Sequence, residues 1–390
     1  MQQLAERATT LTPSLTLAID AKAKKLKAEG VDVCGFGAGE PDFDTPQHIK
    51  DAAAAALASG FTKYTPSSGI PELRAAIAEK LKADNGLDYK SSQIIVNCGA
   101  KHSCYNVILA TCQAGDEVII PAPYWLSYPE MAKLADASPV IVPTREENNF
   151  KLTPDEFRDA MTPATKLIIL NSPGNPTGSV YSREELQALA EVALEEDILM
   201  LSDEIYEKIT YDHTECVSLA SLDKNIYDLT ITVNGFSKAY AMTGWRLGYI
   251  AAPEPIATAI DSIQSHSTSN PTSFAQKGAL AALQGDQSSV AEMVKAFAER
   301  RTYMHERLTA IPGVSCVKPM GAFYMLPNIS KFGLGSTSFC TKLLDEQKVA
   351  VVPGVAFGSD AHIRLSYACS MENIQKGLDR IEAFCKSLKA

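Results

Sequence analysis

The middle of the chain alternates two hydrophobic periodicities. Short apolar runs rich in β-branched residues recur at 93–96, 117–120, 139–143, 166–170, 198–202, 230–233 and 246–250. Successive side chains of a strand point to opposite faces, so runs without polar alternation predict strands covered on both faces, as in a parallel sheet. Stretches of helical period lie between them. One begins at Ser182, with Glu185 three positions on, and another at Thr153, with Glu156 three positions on and Pro154 at its first turn. Both spacings predict a capping box, in which each end residue satisfies the other's free backbone N–H. Strand then helix, repeated, predicts an α/β domain built on a mainly parallel sheet.

Beyond about residue 290 the pattern changes. A long charged helical stretch (289–310) leads into strand-like pieces at 322–326, 349–352 and 362–367, with helical stretches at 338–348 and 371–389. This predicts a smaller α+β domain. Residues 1–45 read as a helix and a loop with no place in the central sheet, so they are expected to join the C-terminal part. The expected division is a large domain over 46–290 and a small one from 1–45 with 291–390. The alanine-rich run at 51–58 is helix-forming.

Composition narrows the partners. Hydrophobic residues are 46% and charged residues 21% of 390, the profile of a soluble globular protein. A net charge of −10, with no basic run denser than Lys22-Ala-Lys-Lys-Leu-Lys27, gives nucleic acid or an anionic membrane no footing. No apolar run approaches the ~20 residues needed to span a bilayer. The opening MQQLAERATT has no apolar segment of a secretory signal, so a cytoplasmic location is expected. Nine scattered cysteines, an odd number with no CxxC pair, read as free thiols in a reducing compartment. The six histidines show no metal-binding spacing, so no metal is expected.

Candidate chemistry gathers where the predicted strands end. GFGAGEPDFDTP (35–46) resembles a dinucleotide fingerprint but has Glu40 where the third glycine belongs, and no helical pattern opens there. CGAKHS (98–103) follows a strand and opens a helix, a junction that offers free N–H groups to an anion, or else is an ordinary turn. NSPGNPTGSVYS (171–182) turns tightly at a strand's carboxyl end, the edge where open α/β sheets bind ligands, and would present Asn175 there. SDEIYEK (202–208) places Asp203 at the end of the next strand and Tyr206 a turn later; Asp203 reads as a partner for a cation or as a helix cap. NGFSKAYAMTGWRLGY (234–249) holds a lysine, Lys238, among small and apolar residues. Such a lysine has its pKa lowered by desolvation and serves as an amine nucleophile. Arg246 offers a bidentate fork to a phosphate. Together these groups match the needs of pyridoxal 5'-phosphate: a lysine for the imine, an aspartate for the ring nitrogen, a tyrosine and an asparagine for the ring hydroxyl, a helix terminus and an arginine for the phosphate.

The chain resembles the class I pyridoxal-phosphate aminotransferases of fold type I, and within them the bacterial and cyanobacterial type of aspartate aminotransferase. The motifs that carry the resemblance run from GEPDFDTP through KYTPSSGIPELR, PYWLSYPEM, NSPGNPTG, SDEIYE, SKAYAMTGWRLGY and GAFY to RLSYA. The resemblance implies that Lys238 is the Schiff-base lysine and the base that moves the α-proton. It implies that Asp203 pairs the ring nitrogen, Tyr206 and Asn175 the ring hydroxyl, and that Trp125 stacks on the ring. Gly99, Ala100, Lys101 and Arg246 would cradle the phosphate, and Tyr64 would reach the phosphate of the neighbouring subunit of a homodimer. Arg364, with the Gly39 backbone, Asn175 and Trp125, would hold the substrate's α-carboxylate, and Lys101 its distal one.

The implied reaction is ping-pong transamination between L-aspartate and 2-oxoglutarate. The alternatives are a transaminase of the same class acting on aromatic amino acids, alanine or prephenate, and a non-catalytic regulator on the same fold. Relatives that aminate prephenate tend to be basic where this chain has Thr12. Two further departures concern the phosphate: Ala100 and His102 stand where relatives often have glycine and glutamine, and Gly235 stands where many carry a phosphate-binding hydroxyl. Ser237, beside the lysine, is the hydroxyl that remains.

Overall fold

The computed structural model describes residues 4–11 and 15–388. Its strands are β1 (Cys34–Gly35), β2 (Ile94–Asn97), β3 (Glu117–Ala122), β4 (Ser138–Pro143), β5 (Thr165–Asn171), β6 (Leu199–Asp203), β7 (Thr230–Gly235), β8 (Gly248–Ala251), β9 (Tyr324–Met325), β10 (Val349–Ala350), β11 (Val352–Pro353) and β12 (Ile363–Ser366). Seven of them form one sheet in the order β2-β8-β7-β6-β5-β3-β4. All neighbours are parallel except β8, which runs antiparallel to both β2 and β7. The expected mainly parallel α/β sheet is present.

Both faces of this sheet are covered. Val118, Ile120, Leu167, Ile169 and Leu201 pack with Cys104, Val107 and Ile108 of the helix Ala100–Thr111. Their sequence neighbours Ile119, Ile168 and Met200 pack on the other side with Leu186, Leu189 and Ala190 of the helix Arg183–Glu195. Each such side chain contributes roughly 1.5–3 kcal/mol on burial. The capping boxes at Ser182/Glu185 and Thr153/Glu156 both form.

Three expectations are corrected. The run at 139–143 is not buried on both faces: β4 is the sheet edge, with Ile141 38% exposed. Pro139 and Pro143, which cannot donate to a ladder, suit that place. The run at 246–250 begins two residues late, because Arg246 adopts a left-handed conformation (φ 55°) and the strand starts at Gly248. The run at 349–352 splits into β10 and β11, which belong to different sheets.

The N-terminal segment meets the C-terminal part directly. β1 pairs in parallel with β10, and Ala23 and Val33 pack with Leu344 and Ala350. β11, β12 and β9 form a three-stranded antiparallel sheet that carries Arg364. Thr12 lies outside the described residues.

Candidate active site

Strand direction brings the chemistry to one edge. The parallel strands β5, β6 and β7 end at Asn171, Asp203 and Gly235, and the three following loops share that edge. Because β8 runs the opposite way, its beginning lies there too, which delivers Arg246. β2, antiparallel to β8, again ends there and leads through Gly99 into the helix Ala100–Thr111.

The backbone of this edge is tight. Gly99 sits at φ 92°, and a Cβ on it would lie 2.5 Å from Arg246 Nη2. Only glycine lets the guanidinium lie against the start of the helix, where the first N–H groups have no intrahelical acceptor. Arg246 is braced by donating to the carbonyl of Thr243 (2.6 Å) and of Cys98 (3.4 Å). A Cβ on Gly235 would lie 2.8 Å from Gly248 Cα, so the β7–β8 pairing leaves no room there for a hydroxyl-bearing side chain. Ser237 is buried in the turn that follows, and its carbonyl accepts from Met242 N (3.1 Å). His102 turns its Nδ1 inward to accept from Cys98 N (3.2 Å).

Lys238 reaches across the cleft. Its Nζ donates to the Gly39 carbonyl and lies 5.7 Å from the ring centres of both Tyr206 and Phe323. Desolvation lowers its pKa to about 8; the Arg364 and Arg246 charges push the same way, while Glu40 and Asp203 oppose. Asp203 is buried, and burial raises its pKa against the pull of its donors. Those donors are Tyr128 Oη (2.6 Å), Ile205 N (3.2 Å) and, weakly, Cys104 Sγ (3.7 Å).

Arg364 is wholly enclosed. Its guanidinium donates to Asn175 Oδ1 (3.1 Å) and to the Gly37 carbonyl (3.0 Å), and lies between the rings of Tyr324 and Phe357. Asn175 is in turn fixed through its N–H to Asn171 Oδ1 (2.8 Å), whose amide donates to the Asp203 carbonyl (2.9 Å). Tyr206 and Tyr324 share a hydrogen bond of 2.9 Å between hydroxyls. Lys101 Nζ lies 4.9 Å from the Trp125 ring centre, with a pKa lowered by desolvation and then by Arg246. Trp125 meets Tyr128 edge to face at 5.2 Å.

Contacts therefore link Lys238, Gly39, Tyr206, Arg364 and Asn175, and a second chain links Lys101, Trp125, Tyr128 and Asp203. Gly99, Ala100 and Arg246 form the adjoining corner. Tyr64 is not brought in: it is 89% exposed. Several contributors escaped the sequence reading as individual residues, among them Tyr128, Cys104, Tyr324, Asn171 and the Gly37 carbonyl. Tyr128 had a signal, since it stands three positions after Trp125 in PYWLSYPEM. Tyr324 lies in the quoted GAFY. Among the described residues no cluster of side chains suits a metal ion.

A sequence profile of the family described as aminotransferase class I and II matches residues 31–381. The chain is 52% identical to the aspartate aminotransferase of Bacillus subtilis (strain 168), covering 98% of each. It is 50% identical to a probable aspartate/prephenate aminotransferase of Aquifex aeolicus (strain VF5), covering 97% of this chain and 98% of that one. The solved aspartate aminotransferase from Thermus thermophilus with maleate superposes with a TM-score of 0.95 at 44% identity, over 98% of this chain and 100% of the other.

Proposed function

This chain belongs to the class I and II aminotransferases, and we propose that it exchanges the amino group between L-aspartate and 2-oxoglutarate, giving oxaloacetate and L-glutamate, with pyridoxal 5'-phosphate as cofactor. One observation carries the reading: a single amine, Lys238, is desolvated within electrostatic reach of Asp203, Arg246 and Arg364 at once. The non-catalytic alternative is set aside, since the chain matches enzymes at about half identity over nearly its whole length.

The residues fit the cofactor. The corner where a Cβ on Gly99 would strike Arg246 is a narrow anion cradle, completed by the N–H groups of Ala100 and Lys101 and by Ser237. Asp203 is the buried carboxylate for the ring nitrogen, Tyr206 and Asn175 serve the ring hydroxyl, and Trp125 covers the ring face. Bound there, pyridoxal phosphate supplies a carbonyl that condenses with amines and a ring that withdraws electrons from the carbon next to them.

This chain's own side chains do the rest. Arg364 binds the α-carboxylate, with Asn175 and the Gly39 backbone beside it. Lys101, over Trp125, binds the distal carboxylate of a dicarboxylic substrate. Lys238, with a pKa of about 8, takes a proton from the α-carbon and returns it near neutral pH. Tyr206 and Phe323 flank the amine, each ring centre 5.7 Å from Nζ. Residues 46–290 form the domain that holds the cofactor, and 1–45 with 291–390, which carry Gly39 and Arg364, form the domain that closes over the substrate. The active unit is a cytoplasmic homodimer in which Tyr64, bare on the single chain, enters the neighbouring site. Cys34, Cys98, Cys104, Cys112, Cys216, Cys316, Cys340 and Cys369 are free thiols, which suits a reducing compartment.

The test is an absorbance titration of the cofactor-loaded protein with L-aspartate and no keto acid. The long-wavelength band gives way to a shorter-wavelength one, and 2-oxoglutarate restores it. A yellow protein that ignores aspartate and responds to alanine or an aromatic amino acid overturns the substrate. Amination of prephenate, for which the Aquifex relative is named, is the second arm. A colourless protein that takes up no pyridoxal phosphate overturns the whole reading.

A further inference from the structure

Gln264 is a fully buried amide whose hydrogen-bonding capacity is used on two separate chain segments. Its Oε1 accepts from Asn97 Nδ2 (2.7 Å) and Asn106 Nδ2 (3.3 Å). Its Nε2 donates to the carbonyls of Val96 (2.8 Å) and Ser67 (2.7 Å). Asn97 ends β2 and also accepts from Ser103 Oγ (2.8 Å), in the first turn of the helix Ala100–Thr111. The acceptor side of the amide thus holds the strand-turn-helix junction beside Gly99, while the donor side ties the same strand, at Val96, to the loop three residues after Tyr64.

That loop is tied down more firmly than its exposed tip requires. Val96 N donates to the Ser68 carbonyl (2.9 Å), and Ser67 Oγ donates to Asp261 on the same helix as Gln264. A second fully buried glutamine, Gln276, accepts from Ile70 N (2.8 Å) and donates to Thr65 Oγ1 (3.1 Å). At the tip stands Tyr64, 89% exposed, the most exposed of the large apolar residues described. Burying polar groups is costly unless every one is paired, and such networks fix one geometry rather than add net stability. A rigid mount under a bare tyrosine suits a hydroxyl that must be aimed.

We propose that Gln264 is a positioning residue that mounts the Tyr64 loop on the cradle of its own subunit, so that the hydroxyl lent to the neighbouring phosphate site is set by the geometry of the home site. This rests on the reading of Tyr64 given above. The two sites of the dimer are then joined through Gln264: each cradle aligns the group that completes the other.

The test is a double-mutant cycle on the affinity of the apo-dimer for pyridoxal phosphate, read by fluorescence titration, with pyridoxal as the phosphate-free control. Gln264→Glu keeps the shape and the acceptor toward Asn97 but sets an acceptor against the Ser67 and Val96 carbonyls. Gln264→Met removes the hydrogen bonds at similar volume, and Asp261→Ala removes the acceptor of Ser67 Oγ and so loosens the same loop without entering the core. The Gln264 variants are expected to weaken pyridoxal phosphate about tenfold with Tyr64 present and less than about threefold in a Tyr64→Phe background, since no hydroxyl is left to aim. Pyridoxal affinity stays within about twofold, which general structural damage would not respect. Equal losses with and without the Tyr64 hydroxyl overturn the coupling and leave Tyr64 in its role. Tyr64→Phe that binds like the parent overturns the role of Tyr64 and the coupling with it. Should neither Gln264 variant fold, Asp261→Ala decides the cycle on the same criteria.

Discussion

Arg364 Nη1 donates to Asn175 Oδ1 at 3.1 Å, joining the strand β12 to the loop that follows β5 across 189 residues of sequence. The guanidinium spends its other bond on the Gly37 carbonyl, and its Nε has no acceptor among the described residues. A buried cation with an unspent donor is costly unless an anion arrives. The carboxylate of the proposed substrate would meet that need.

Arg364→Lys keeps the charge but loses the planar fork and the stacking between Tyr324 and Phe357. The expected fall in kcat/KM for aspartate is about 10²- to 10³-fold, from one or two charge-assisted hydrogen bonds. Steady-state kinetics with aspartate as the varied substrate measure it. A loss under fivefold would place the carboxylate elsewhere.

Lys238 in the apoprotein should titrate near pH 8 and not near 10.5, because desolvation disfavours its charged form. Only the free amine reacts with acetic anhydride. Competitive labelling, read by mass spectrometry on the Lys238 peptide, should reach half its limiting rate near pH 8. A midpoint near 10 would show an ordinary solvated lysine. Lys238→Ala should abolish turnover while some cofactor binding remains.

Tyr128 Oη is the strongest donor to Asp203, at 2.6 Å, and Cys104 Sγ at 3.7 Å is a poor substitute. The donor favours the ionised carboxylate, so Tyr128→Phe should raise the Asp203 pKa further. The carboxylic C=O stretch, assigned by its absence in Asp203→Asn, follows this in an infrared pH titration of the apoprotein. An unmoved midpoint would mean that burial alone governs Asp203.

Lys101 is expected to set substrate breadth. Its ammonium lies over Trp125 with no carboxylate partner among the ion pairs described, and both desolvation and Arg246 lower its pKa. Lys101→Ala should cut kcat/KM for aspartate about 10- to 100-fold and leave alanine within about twofold, since only the former has a second carboxylate to lose. Equal losses would make Lys101 a phosphate ligand alone.

Much of this architecture is readable from periodicity, because an apolar run of strand length between helical patterns has few other meanings. Direction is not readable that way. Residues 246–250 look like their parallel neighbours, yet β8 is antiparallel, and that reversal is what brings Arg246 to the edge where β7 ends. Residues 349–352 show one apolar run, and only the three-dimensional pairing assigns Val349 to β1's partner and Val352 to β12's. Motif residues such as Lys238, Asp203 and Asn175 stand at strand ends and announce themselves by chemistry. Tyr128 and Tyr324 do not, because their worth depends on partners 75 and 118 residues away. Gly235 carries a reason that no motif states: its opposite number across the ladder is another glycine, and the strands meet too closely for any side chain.

Glu204, next to Asp203 but on a different set of partners, sets a pH dependence of folding that is independent of the catalytic groups. It is 1% exposed. Its Oε1 accepts from Ser202 Oγ (2.8 Å), Ser218 Oγ (2.9 Å) and Leu219 N (3.3 Å), while Oε2 has no partner among the described residues. Burial, aided by the Glu207 charge and opposed by Ser202, Ser218 and Lys80, raises its pKa from 4.5 to about 7. A carboxyl whose folded pKa exceeds its unfolded one binds more protons when folded. Its contribution to stability is therefore complete below about pH 4.5 and is lost as pH rises toward 7 and beyond. The full loss is on the order of 3 kcal/mol. Glu204→Gln keeps the acceptor for the two serines and does not titrate. Its cost in an unpaired N–H is the same at every pH, so the informative quantity is the slope. The difference in unfolding free energy between variant and parent, measured by denaturant titration of the apoprotein, should move in favour of the variant by about 2–3 kcal/mol between pH 5 and pH 8. A difference that stays flat over that range would mean that Glu204 is ionised throughout, held by the hydroxyls alone.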